Sequence, residues 1–201
     1  MALFDWISDA GPVVDGEGVR LRPPRATDYP QWEALRRASQ DYLQPWEPTW
    51  PEDDLSRAAF RRRLGVYARE MEQGTAWPFF IFDESEDEQM LGAITLSNIR
   101  RGVAETGVLG YWIGQPVAGR GHATAAVRAV LDFGFRETKL HRIEAACLPT
   151  NLPSRRVLEK AGFRHEGMAK AYLKINGAWA DHLLFGVLSD EVGQGPGVSP
   201  S

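Results

Sequence analysis

Trp112-Ile113-Gly114-Gln115-Pro116-Val117-Ala118-Gly119-Arg120-Gly121-His122-Ala123-Thr124 is the stretch from which the fold can be worked out. Gly107 to Ile113 is rich in β-formers and reads as a strand, and the glycines behind it break that pattern. From about Ala123 to Phe135 the apolar residues Val127, Val130, Leu131 and Phe133 recur at helical spacing. A strand therefore runs through glycines straight into a helix. Such a corner turns several unpaired backbone N–H groups toward one point, and the helix dipole adds partial positive charge there. The loop lacks the Gly-Lys-Ser/Thr ending of a P-loop and the third glycine of the dinucleotide fingerprint. Taken alone it reads equally as a tight turn or as an anion cradle.

Outward from this corner the chain alternates between the two periods. Gly18 to Arg22 reads as a strand ended by Pro23-Pro24. Thr27 or Asp28 offers an N-cap for a helix carrying Trp32, Leu35 and Arg36. Tyr42 to Asp54 is too proline-dense for a helix interior, and Leu55 to Met71 is helical again, stopped by Gly74. Trp77–Phe82, Leu91–Leu96 and Gly107–Ile113 form an antiparallel series of strands. The acidic run Asp83 to Glu88 reads as a solvated hairpin tip, not a metal site. After the glycine loop and its helix come a strand, His141–Leu148, and a second helix closed by Gly162. Two last strands, near Phe163–Lys174 and Trp179–Leu188, are joined by the hairpin turn Asn176-Gly177. The helix between Ile113 and His141 implies that its two flanking strands are parallel. The fold class is α/β: one domain with a mixed, mostly antiparallel sheet flanked by helices. The domain spans 14–190, and 191–201, rich in Gly and Pro, is expected to be a flexible tail.

Composition narrows the function. The chain has 201 residues, 43% hydrophobic and 25% charged, enough for one real core. No run approaches the roughly 20 apolar residues of a membrane span. The start, Met1 to Trp6, has an early acid and no basic segment, so no signal peptide is expected. A net charge of −4 argues against direct nucleic-acid binding. One cysteine, Cys147, excludes a disulfide framework and a thiol metal site and agrees with a cytoplasmic setting.

A second element stands beside the glycine loop. Asn151-Leu152-Pro153-Ser154 opens a short helix with an N-cap and an early proline, and Leu158-Glu159-Lys160-Ala161-Gly162-Phe163 closes it. Two strand–helix units in tandem, the first with Ala118-Gly119-Arg120-Gly121-His122-Ala123 at its corner, resemble the Gcn5-related N-acetyltransferase (GNAT) superfamily. The resemblance extends from about Val19 to Leu188. It is strongest to the RimJ/RimL branch, ribosomal-protein alanine/serine N-acetyltransferases, through Tyr42-Leu43-Gln44-Pro45-Trp46-Glu47-Pro48 and the run from Glu166 to His182. Three positions depart from family patterns. Ala118 replaces Gln or Arg, Leu158 replaces a tyrosine, and Ala171 replaces an acid before Tyr172.

The resemblance implies a splayed sheet with acetyl-CoA in the gap. It implies that N–H groups of Ala118, Gly119, Arg120, Gly121, His122, Ala123 and Thr124 hold the diphosphate. Trp112 and Ile113 would line the pantetheine arm, with Asn151 hydrogen-bonding it. Ser154 is the expected proton donor to the leaving thiolate. Glu47 and Glu144 are the candidate bases, although Arg142 is placed to satisfy Glu144. Trp46, Glu47 and Tyr172 are expected to line the acceptor cleft, where an aromatic beside an acid suits an ammonium. The acceptor is expected to be a protein N-terminus, that of a ribosomal protein, or a small amine. A non-catalytic acyl-CoA-binding module is the alternative, and the chain would be a monomer or homodimer.

Overall fold

The computed structural model describes residues 11–84 and 88–191. Eight strands make one sheet: β1 (Val14–Gly16), β2 (Val19–Arg22), β3 (Trp77–Asp83), β4 (Met90–Arg100), β5 (Thr106–Ile113), β6 (Arg142–Cys147), β7 (Arg164–Ile175) and β8 (Ala178–Leu188). The helices are α1 (Tyr29–Ala38), α2 (Gln40–Leu43), α3 (Arg57–Glu72), α4 (His122–Arg136) and α5 (Leu152–Lys160). The strand order is β1-β2-β3-β4-β5-β6-β8-β7, antiparallel throughout except for β5 and β6. Those two are joined through α4, and a helical crossover makes neighbouring strands parallel.

Alternation along β3 explains the layers. Phe79 and Ile81 face one core with Val127, Val130 and Leu131 of α4 and Leu158 of α5. Phe80 and Phe82 face the other, with Trp32 of α1 and Phe60 of α3. A strand covered on both faces reads as an unbroken apolar run, which is how Trp77-Pro78-Phe79-Phe80-Ile81-Phe82 appears. Phe133 of α4 meets Trp77 and Phe79 edge-on, each 5.4 Å between ring centres. Burying each such side chain contributes about 1.5–3 kcal/mol.

The sequence reading missed β1, whose three residues are too short to show a period. It also left the proline-dense stretch without helix, where α2 and a 3₁₀ turn over Gln44–Trp46 are found. Pro45 sits in the first turn of that 3₁₀ segment, where its missing N–H costs nothing. The Asn176-Gly177 turn has φ of 43° and 83°, the left-handed pair that a tight hairpin needs. Of the acidic hairpin tip, residues 85–87 lie outside the described residues, as do the chain start and 192–201 of the expected tail. Glu191, at the head of that tail, pairs with Arg164 at 2.9 Å and accepts from the Leu188 N–H.

Candidate active site

The corner between β5 and α4 is built to leave donors unsatisfied. Gly119 and Gly121 have φ of 77° and 93°, a region costly for side-chain-bearing residues, so the turn depends on glycine. A Cβ at either position would meet nothing within 4 Å. The space in front of the loop is open, and backbone conformation alone demands glycine. The first backbone bond of α4 runs from Ala125 N–H to Gly121 C=O. Among the described residues none accepts a hydrogen bond from the backbone N–H groups of Gly119 through Thr124. A cavity of about 440 Å³ opens there. Arg120, Arg128 and Lys160 bring positive charge to it, beside Gly121, His122 and Thr124. Open amides, a helix N-terminus and three cations fit a diphosphate ligand.

The loop's position is fixed from α1. Ser39, fully buried, accepts a hydrogen bond from the Gln115 N–H at 2.9 Å. Gly114 lets Leu35 pack directly on the backbone.

From this corner a fork leads inward. β5 and β6 pair only from Thr106↔Arg142 to Val108↔Glu144. β5 then runs on to Ile113 and β6 to Cys147 without pairing to each other. Beyond Val108, the side of β5 facing β6 has no strand partner among the described residues, so an extended amide-bearing chain can pair there. Trp112 and Ile113 lie on this segment, with their side chains on opposite faces of the sheet.

Ser154, Tyr111 and Cys147 meet across the fork. The Tyr111 hydroxyl lies 3.0 Å from Ser154 Oγ and also donates to the Ser154 carbonyl at 3.2 Å. Burial raises the Tyr111 phenol above its ordinary pKa and outweighs the opposing Ser154 bond, so it stays protonated near neutrality. Burial likewise raises the Cys147 thiol, against the opposing pull of Ser154. Asn151 caps α5, its Oδ1 accepting from the Ser154 N–H at 3.1 Å. That leaves the Asn151 amide NH₂ as its donor for other partners.

Glu47 is held by partners on both of its oxygens. Arg36 binds both of its oxygens, at 2.8 Å each, and the Trp50 indole N–H donates to Oε2 at 2.7 Å. A carboxylate held this way is a poor base and a poor partner for an incoming ammonium. Trp46 is half-buried, and the indole beside Glu47 is that of Trp50. Glu144 sits at the last paired position of the fork, where Arg142 donates to Oε1 at 2.9 Å. Arg142 also grips Glu166 through two bonds.

Tyr172 rests edge-on against His182, 5.8 Å between ring centres. His182 is buried and bonds through Nδ1 to the Ala180 carbonyl, 2.9 Å away. Asp181 does not pair with it. Its carboxylate accepts from the Ala171 N–H, bracing the bulge that lets Ala171 adopt φ 46°.

Sequence reasoning overlooked Tyr111, Arg36 and Trp50. Strand alternation was the available signal for Tyr111, because residues 109, 111 and 113 share the face of α4 and α5. No local pattern signals that Arg36 reaches Glu47.

Comparison with known proteins agrees with this geometry. The acetyltransferase (GNAT) domain family matches residues 19–164. The chain is 36% identical over 179 residues to the probable N-acetyltransferase YjcK of Bacillus subtilis, covering 89% of this chain and 98% of that one. It is 38% identical over 146 residues to the [ribosomal protein uS5]-alanine N-acetyltransferase of Escherichia coli, covering 73% and 75%. Among solved structures it resembles Mycobacterium smegmatis RimJ in complex with CoA-disulfide. The TM-score is 0.84 at 36% identity, over 92% of this chain and 89% of that one. No described helix is long and apolar enough to cross a membrane. Family match, whole-length relatives and forked sheet converge, and the chain belongs to the GNAT family as an acetyl-CoA-dependent N-acetyltransferase.

Proposed function

We propose that the enzyme acetylates the α-amino group of a protein chain that begins with alanine or serine, a ribosomal protein in particular. The similarity to the uS5-alanine enzyme across most of both chains carries this reading. The catalytic unit is the 14–190 domain, and transfer is direct, within a ternary complex. Backbone N–H groups from Gly119 to Thr124 hold the diphosphate of acetyl-CoA, the expected Ala118 N–H being spent on the Gln115 carbonyl at 3.2 Å. Its extended arm lies along Trp112 and Ile113 in the fork, steadied by the Asn151 amide.

The uncharged amine attacks the thioester carbonyl carbon, and a β5 N–H at the fork stabilises the oxygen as it gains charge. The carbon–sulfur bond breaks, and the leaving sulfur takes a proton from the Ser154 hydroxyl, which takes the Tyr111 phenol proton in the same step; the phenolate regains a proton from water as CoA leaves. Glu144, at the base of the fork, accepts the amine's proton through water. Glu47 stays out of the proton transfers, and Tyr172 and Trp46 line the acceptor's path.

The test is thiol release from acetyl-CoA with a peptide starting in alanine, beside the same peptide with a blocked N-terminus and a polyamine. Release with the free α-amine alone is expected. Release only with the polyamine would move the acceptor to small amines. Tight CoA binding without release to any amine would leave a carrier-binding module.

A further inference from the structure

Arg36 is 6% exposed, an unusual place for a cation on a surface helix. Its guanidinium lies 3.9 Å from the Trp50 ring centre and 4.9 Å from that of Trp112. It forms a two-pronged pair with Glu47 and comes within 3.9 Å of the Asp54 carboxylate. Glu47 in turn accepts a backbone bond from the Asn176 N–H, at the tip of the β7–β8 hairpin, at 2.9 Å. Three segments thus meet at one ion pair: α1, the loop after α2, and the hairpin. That ion pair is seated on Trp112, whose own backbone belongs to the cofactor strand.

We infer that Arg36 is a positioning residue for the acceptor: it clamps the Glu47–Trp50 loop and, through Asn176, the hairpin into the wall of the acceptor cleft. The inference rests on the acceptor reading above only in taking that cleft to lie between loop and hairpin. A cation lying over two indole rings while bonding both oxygens of one carboxylate suits guanidinium and not ammonium. Lysine at this position keeps the charge and loses the geometry. Loosening the wall leaves the thioester site intact, because the Tyr111–Ser154 pair lies on the other face of the sheet from Trp112 and the glycine loop keeps its own tie, Ser39 to the Gln115 N–H.

The experiment compares Arg36→Lys, Glu47→Gln, Trp50→Phe and the Arg36→Lys/Glu47→Gln double variant with the wild type. Acceptor KM, kcat and the acetyl-CoA Kd are measured for each. Arg36→Lys is expected to raise acceptor KM about ten-fold while kcat and acetyl-CoA Kd stay within about two-fold. The double variant is expected to be no worse than the larger single one, because both changes break one clamp. Trp50→Phe keeps the stack but loses the N–H to Glu47, and is expected to raise acceptor KM about three-fold.

An unmoved acceptor KM in folded Arg36→Lys would overturn the clamp, and so would an equal rise in acetyl-CoA Kd or fully additive effects. If Arg36→Lys does not fold, an unmoved acceptor KM in Trp50→Phe overturns it. A wild type inactive on α-amines defeats the acceptor reading instead. The clamp is then judged by the same variants with whichever amine the enzyme does acetylate.

Discussion

The two ends of the active site are built on opposite principles. At the glycine corner, backbone donors from Gly119 to Thr124 have no partner among the described residues, and a Cβ at Gly119 or Gly121 would meet nothing within 4 Å. At the proposed acceptor wall, Arg36, Glu47, Trp50 and Trp112 satisfy one another at short range. The first end waits for a ligand with a fixed anionic group, so its unfilled valences are its specificity. The second keeps its charges internally paired, which suits the proposed role of supplying shape. One lesson is that an acid in a cleft has to be read together with its partners, as the Arg36–Glu47 pair illustrates.

The contrast breaks most visibly at Gly121. Gly121→Val forces a β-branched residue into φ 93°, which costs about 1–3 kcal/mol or displaces the N–H groups. Acetyl-CoA Kd, measured by calorimetry, is expected to rise by up to about a hundred-fold, a change worth about 2.7 kcal/mol. Gly121→Asn, which tolerates the left-handed region, should recover much of that loss. Equal affinity in both variants and wild type would remove the corner from cofactor binding.

A smaller effect is expected at the fork. Tyr111→Phe and Ser154→Ala each break the same two-hydroxyl relay. Each is expected to lower kcat about ten-fold, and the double variant little further, with acetyl-CoA affinity kept. Single-turnover kinetics isolates this step, and an unchanged rate in the double variant would assign the thiolate's proton to water.

The smallest effect is expected at the base of the fork. Arg142 holds the Glu166 carboxyl below its usual pKa. A carboxylate shifted down in the folded state adds stability above its unfolded pKa, and that contribution fades as pH falls through the folded value. The half-exposed pair is worth less than about 1 kcal/mol. In Glu166→Gln, Tm should fall slightly at neutral pH and converge with the wild type in acid. A gap that widens in acid would contradict the pairing.

What the chain made legible was local. The glycine corner, the Asn151 cap and the Asn176-Gly177 turn each depend on residues adjacent in sequence, and each is present. The parallel pairing of β5 with β6 followed from the helix between them. What stayed hidden was the pairing of side chains far apart in the chain or on one face of a strand. Arg36 and Glu47 lie eleven residues apart, in elements that meet only once α2 has turned the chain. Tyr111 reaches Ser154 across forty-three residues, and no spacing rule announces that contact. Three-residue β1 carries too little pattern to be read at all.

The account turns on backbone amides gripping the carrier's diphosphate. The most direct measurement follows the amide resonances of isotope-labelled protein as CoA is added. Large downfield proton shifts at Gly119 to Thr124, with a second set along Leu109 to Ile113, are the expected result. CoA that binds while those amides stay unmoved would contradict it.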